Sequence, residues 1–240
     1  EGLEAQGQLN RAVEFLPSSD EMRAKIERNE GLTRPELSVL TAYGKIQLFG
    51  EIMASSATDD PWFEKTLINY FPDGCHQFVD AMNNHRLKRE IIATVLANRI
   101  VDLGGVTFME RARESALADT GAVVRAFAGA RKIFELDKII DAINALDLKI
   151  PADVQTSLMM DVIAILRRQT YWLARRAVKG GGLKPVGELV DIYTDGIAQL
   201  KKMIFDIVSN FEANRLKDKA QIYIDQGTPK ELAREVASLR

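Results

Sequence analysis

A chain of 240 residues can bury a substantial core in one or two domains. Its formal net charge of −2, from 32 Lys and Arg against 34 Asp and Glu, gives no nucleic-acid or membrane signal. One cysteine, Cys75, and two histidines exclude an intrachain disulfide framework and a usual structural zinc set. No run approaches the roughly 18 apolar residues of a membrane span, and no signal peptide is visible, so a cytoplasmic location is expected. The first residue, Glu1, suggests a fragment of a longer polypeptide.

The first stretch, 1–30, carries little pattern. Gly2 and Gly7 interrupt it, and Pro17, Ser18, Ser19 and Asp20 mark a loop and a helix start. A short charged helix is expected over 22–30. Thr33 is a good N-cap, with Glu36 three residues on and Pro35 in the first turn. The run 37–54 then places Leu37, Leu40, Ile46, Leu48, Phe49, Ile52 and Met53 at helical intervals. Gly44 and Gly50 within it read as close helix packing or a bend. Asp59 or Asp60 caps a helix opened by Pro61, carrying Trp62, Phe63, Leu67 and Ile68. FPDG, at 71–74, is a turn.

The strongest pattern is HRLKREIIATVLANRIVDLGGVTF, 85–108. Leu87, Ile91, Ile92, Val95, Leu96, Ile100, Val101 and Leu103 spread over most of a helix circumference, which predicts a buried central helix over about 85–103. Thr94, Asn98 and Asp102 form a polar row four residues apart, beside Leu87 and Ile91. Its neighbours predict burial, with solvent as the alternative, and a buried row needs hydrogen-bond partners. A packing role is expected for it. Gly104 and Gly105 end the helix, and Thr107 with Glu110 offers a capping box for the next. Arg86, Lys88 and Arg89 form a basic group, readable as a solvated face, an interface rim or an anion site.

Helices follow over 108–117, 123–134 and 136–146. Pro151 opens the longest pattern, running to near 178, about 40 Å of helix. Arg167, Arg168, Arg175 and Arg176 decorate it. Arg168 and Arg175, seven apart, share a face that an anionic partner or acidic residues of an assembly would meet. Lys179-Gly180-Gly181-Gly182 reads as a linker, since no Gly-Lys-Ser/Thr follows to make a phosphate loop. Helices resume over 185–208, 211–224 and 231–239, the last begun by Thr228, Pro229 and Glu231.

Strand signals are almost absent. The expected fold is all-α: an irregular multi-helix bundle of roughly nine or ten helices around 85–103. Three parts are expected: a connecting segment 1–30, a main helical domain 31–178 and a C-terminal helical subdomain 183–240. There is no Gly-x-Gly-x-x-Gly and no strand to precede one, so no dinucleotide site is read. His76 and His85 sit in no nucleophile motif. Asp59 with Asp60, and Glu135 with Asp137, read as helix starts or junctions. No catalytic, cofactor-binding or metal residue is assigned.

Five stretches carry a resemblance: GQLNRAVEFLP (7–17), GLTRPELSVLTAYGK (31–45), INYFP (68–72), HRLKREIIATVLANRIVDLGGVTF (85–108) and DLKIPADVQTSLM (147–159). In this order they resemble the C-terminal helical region of the large bacterial NAD-specific glutamate dehydrogenases, strongly over 7–176 and weakly over 185–239. Gly44 departs from the family, which favours a better helix former there. The resemblance implies a parent enzyme that oxidises L-glutamate to 2-oxoglutarate and ammonium with NAD. It also implies that the catalytic lysine and the nucleotide-binding glycines lie in a core preceding this region, with 1–30 leading out of it. No position here matches those motifs, so none is carried over. The expected role is structural, assembly-related or regulatory, with that core and other subunits of a homo-oligomer as partners, and no nucleic acid or membrane. The competing reading is an effector-binding helical module, holding amino acids or nucleotides near Arg86, Lys88 and Arg89 or near Arg168 and Arg175.

Overall fold

The computed structural model describes residues 2–179 and 184–239. The linker reading of Gly180 to Gly182 lies outside them. Thirteen α-helices run along the described residues: α1 (Gly2–Ala5), α2 (Ser19–Glu27), α3 (Arg34–Ala54), α4 (Glu64–Ile68), α5 (Val79–Asn83), α6 (Lys88–Gly104) and α7 (Phe108–Ala116). They continue with α8 (Thr120–Ile133), α9 (Leu136–Asn144), α10 (Ala152–Lys179), α11 (Val186–Ile207), α12 (Asn210–Asp225) and α13 (Lys230–Ser238). The expected count of nine or ten is therefore corrected to thirteen. Helices of four or five residues, α1, α4 and α5, span little more than one turn, too short for a periodic apolar pattern to register.

The local start signals divide cleanly. Ser18 with Glu21, and Thr33 with Glu36, form reciprocal capping boxes at α2 and α3. Thr107 makes no side-chain cap, and Glu110 turns to Arg113 at 3.2 Å. Thr228 does not cap α13 either; it is buried, and its hydroxyl has no hydrogen-bond partner among the described residues. Gly105, at φ +84, closes α6, and its N–H bonds the Val101 carbonyl. A side chain at Gly104 would meet the Phe108 ring at 2.6 Å, which lets α7 turn by 88° from α6. Gly44 reflects close packing, since a Cβ there would lie 2.7 Å from Val106 Cγ1.

The helix at the centre is α8, not α6. Ten consecutive residues of α8, Gly121 to Ala130, are buried, whereas α6 buries one face and leaves Thr94, Asn98, Arg99 and Asp102 exposed. Leu87 lies outside the helix and is 53% exposed. The reason is size. The α8 sequence TGAVVRAFAGARKI is rich in Gly and Ala, so α3, α7, α9, α10 and α11 all approach it closely. Gly129 illustrates this: a Cβ there would sit 3.7 Å from both Leu173 of α10 and Leu189 of α11.

A charge lies inside this centre. Arg125 of α8 donates from Nε to Asp60 Oδ2 at 2.9 Å, and from Nη2 to the Ser56 carbonyl at 2.7 Å. Asp60 Oδ1 accepts the Trp62 N–H at 3.0 Å, and Oδ2 also accepts the Val186 N–H at 3.0 Å. The two side chains are 9% and 1% exposed. Asp60 thus starts the 3-10 turn Pro61–Phe63, as expected of a cap, and also holds α8 and the first residue of α11.

Removing one partner of such a pair leaves an uncompensated buried charge, so Arg125→Ala should cost about 3–5 kcal/mol. Urea denaturation checks this; a loss below about 1 kcal/mol would show that the pair is solvated. A second outcome concerns acid. Glu21 and Glu36 are held below the ordinary 4.5, chiefly by the N–H groups of Ser18 and Thr33. Their lowered folded values mean that the stabilisation is complete above the unfolded value and is lost as pH falls through the folded one. Glu36→Gln should therefore flatten the acid limb of a circular-dichroism titration.

Candidate functional site

The polar row expected to be buried faces solvent. Thr94 Oγ1 donates back to the Glu90 carbonyl of its own helix at 2.8 Å. Asp102 pairs with Lys45 of α3 at 2.7 Å, with the carboxylate side chain 59% exposed. An unfavourable position near the C-terminal end of a helix is thus offset by a lysine from a neighbouring helix and by water. The apolar neighbours do not carry the row inside, since Leu87 is itself exposed and Ile91 and Val95 are only partly buried.

Asn98 and Asp102 nevertheless meet something. With Arg99 of α6, Arg131 of α8, and Asp141 and Asn144 of α9, they line an open cleft of about 670 Å³. Arg131 donates from Nε to Asp137 Oδ1 at 2.9 Å and from Nη2 to the same oxygen. Its guanidinium also lies over the Phe127 ring, 5.8 Å from the centroid. Burial lowers the Arg131 pKa, Asp137 raises it, and the charge of Arg99 lowers it again. The side chains of Arg99 and Asp141 carry no hydrogen bond or ion pair among the described residues. The cleft is lined by charges and amides together with Val95, Leu103 and Ile140.

The basic residues singled out in the sequence do not form one patch. Arg89 reaches Thr58 Oγ1 at 2.9 Å, Asp59 at 3.2 Å, and the Met53 and Ser55 carbonyls at the end of α3. Arg86 and Lys88 have no such partner among the described residues. Arg175 donates to the Ser115 carbonyl in the last turn of α7 at 3.0 Å, and to Ser115 Oγ at 2.6 Å. Arg168 donates to the Leu239 carbonyl at the end of α13 at 3.3 Å. Lys201 of α11 does the same for Phe134, the C-cap of α8, at 2.9 Å. These cations answer carbonyls that a helix end leaves unpaired, and they complement its negative pole.

The histidines are tied to backbone. His76 Nε2 lies 2.9 Å from the Phe71 carbonyl, and His85 Nδ1 accepts the Leu87 N–H at 3.1 Å. No cluster of three His, Cys, Asp or Glu able to hold a metal ion occurs among the described residues. No single helix among them is long and apolar enough to cross a membrane. Arg125, Arg131 and Arg99 were missed at the sequence level. For Arg125, its place inside a Gly/Ala/Val run was the available signal, since such a charge is rarely buried unless paired.

Because the row is exposed, Asn98→Ala should change stability by no more than about 0.5 kcal/mol. Lys45→Met should cost less than about 1 kcal/mol, and less again in high salt. Chemical denaturation at two salt concentrations measures both; a loss of about 2 kcal/mol at either position would mean that the row is enclosed.

The family model described as glutamate dehydrogenase, C-terminal, matches residues 29–240. The NAD-specific glutamate dehydrogenase of Halomonas elongata is 38% identical over 237 residues, 98% of this chain and 14% of that protein. Those of Pseudomonas aeruginosa and Mycobacterium tuberculosis are 36% and 28% identical over 236 and 237 residues, with the same shares of 98% and 14%. The chain thus spans 14% of the length of these curated relatives. With a family model covering all but its first 28 residues, the chain belongs to the glutamate dehydrogenase C-terminal family.

Proposed function

We propose that this chain is the non-catalytic C-terminal helical part of an NAD-dependent glutamate dehydrogenase, and that it supports the catalytic core and its assembly. In this reading the whole polypeptide converts L-glutamate, NAD and water to 2-oxoglutarate, ammonium and NADH, in the cytoplasm and as a homo-oligomer. NAD belongs to the preceding core, 1–30 is the connecting segment, 31–178 the main domain and 183–240 the C-terminal subdomain. What supports the reading most is where the cations go. Arg89, Arg168, Arg175 and Lys201 each end on a carbonyl at the end of a helix. Side chains spent on joining helices are what a scaffold needs.

The effector-binding alternative is favoured by one observation, the cleft between α6, α8 and α9. There Asp137 bonds Arg131 alone, while the side chains of Arg99 and Asp141 stay unpaired among the described residues. Titration calorimetry with glutamate, aspartate, NAD and adenine nucleotides separates the two. Flat titrations at about millimolar ligand, near −4.1 kcal/mol of binding, count against the module.

Two outcomes test the scaffold directly. The isolated chain should form no NADH from glutamate and NAD, and a turnover in the ordinary range of about 1–1000 per second would overturn the reading. Mixed with the separately produced catalytic core, it should co-migrate on size exclusion. Failure to associate, together with unchanged assembly after its deletion from the whole polypeptide, would contradict a supporting role.

A further inference from the structure

α11 has one face that nothing among the described residues covers. Val186 and Leu189, at its start, are buried against the bundle. Further along, Ile192, Leu200, Met203 and Ile207 are 50%, 49%, 51% and 52% exposed. At about 100° per residue these four fall on one stripe together with Gly196. A Cβ at Gly196 would meet nothing within 4 Å, so the stripe has an open notch at its middle. Phe211, at the start of α12, is a further exposed apolar side chain, at 78%. Single exposed apolar residues are ordinary, but a run of them on one helix face marks an interaction surface.

The edges of the stripe differ. On one side lies the body of the protein, through Tyr193, Ile197 and Ile204, all partly buried. Along the other run Asp191, Asp195 and Asp206, exposed and with side chains that make no hydrogen bond or ion pair among the described residues. Lys202 is the one described cation on that edge; Glu188, also there, pairs with Lys184. An apolar stripe with an acidic border selects its occupant by charge.

We propose that this face of α11 docks a cationic amphipathic helix, with apolar residues at i, i+3 or i+4 and i+7 bordered by Lys or Arg. A second copy is disfavoured, because in an antiparallel two-fold pair the acidic edges face each other. An anionic lipid surface is disfavoured by the same border. The inference supplies a partner chemistry for the assembly role on which it rests; its test uses peptides only, so it fails or holds separately from association with the catalytic core.

The test uses two labelled peptides of about 20 residues, long enough to hold a helix, with an identical leucine stripe bordered by Lys in one and Glu in the other. Fluorescence anisotropy with the 240-residue chain should show the Lys peptide bound at least about tenfold more tightly, a preference that shrinks as salt rises. The double variant Ile192→Asp, Met203→Asp should lose the binding with helix content unchanged. The double variant Asp195→Lys, Asp206→Lys should reverse the preference between peptides. Equal binding of both peptides, no binding of the Lys peptide, or an unreversed preference would each overturn the proposal. So would stable binding to vesicles of anionic phospholipid, or a dimer of the chain that the Ile192→Asp, Met203→Asp pair dissolves.

Discussion

Asp60 takes the Arg125 guanidinium and the Val186 amide on one oxygen, and the Trp62 amide on the other. Few interactions in a helical bundle join segments so far apart in sequence: the turn after α3, the middle of α8 and the first residue of α11. Burying the two charges costs several kcal/mol, and the five hydrogen bonds around them offset that cost only in one geometry. A shift of α11 by one residue would withdraw the Val186 N–H, which as a first-turn amide has no partner within its own helix. The pair therefore specifies position more than it adds stability. Arg125 Nη1, buried and without a partner among the described residues, sits beside Gly121, where a Cβ would be 3.4 Å away. Any side chain at position 121 would crowd that group.

Around this point the bundle is closed by a repeated device. Helices that end against the core leave carbonyls exposed to a neighbour, and a lysine or arginine from that neighbour answers them. Arg89 does so for α3, Lys201 for α8, Arg175 for α7 and Arg168 for α13. The long helix α10 supplies two of these four cations, one towards α7 and one towards α13, so it ties the middle of the chain to its C-terminal part. Such charges are committed to the fold. Others carry no side-chain partner among the described residues, among them Arg99 and Asp141 in the cleft, Arg86 and Lys88 at the approach to α6, and Asp191, Asp195 and Asp206 along α11.

Much of the helical content was legible because large apolar residues recur at helical spacing in α3, α6, α9 and α10. Ser18 and Thr33 declared their helices by side-chain chemistry that acts within four residues. What was not legible is what depends on the third dimension. Thr107 and Thr228 show the same local motif as Thr33 but do not cap, since the surrounding packing places their backbone otherwise. The centre was misplaced because periodicity weighs large residues, and Ile92, Leu96 and Ile100 outweigh the Ala and Gly of α8. Yet a helix packed on by several others needs small residues at the contacts. Asp60 was legible as a cap for Trp62; its bonds to Arg125 and Val186 span 65 and 126 residues and leave no local trace.

Native-state hydrogen exchange at the Val186 amide tests the organising role of Asp60 most directly. A first-turn amide with no protein acceptor exchanges readily, whereas one bonded to a buried carboxylate exchanges only when its surroundings unfold. Val186 should exchange with the same free energy as the central amides of α8, and Asp60→Ala should bring Val186 down to local-fluctuation levels. Fast exchange at Val186 beside a protected α8 would contradict it, by showing that α11 seats itself without the carboxylate.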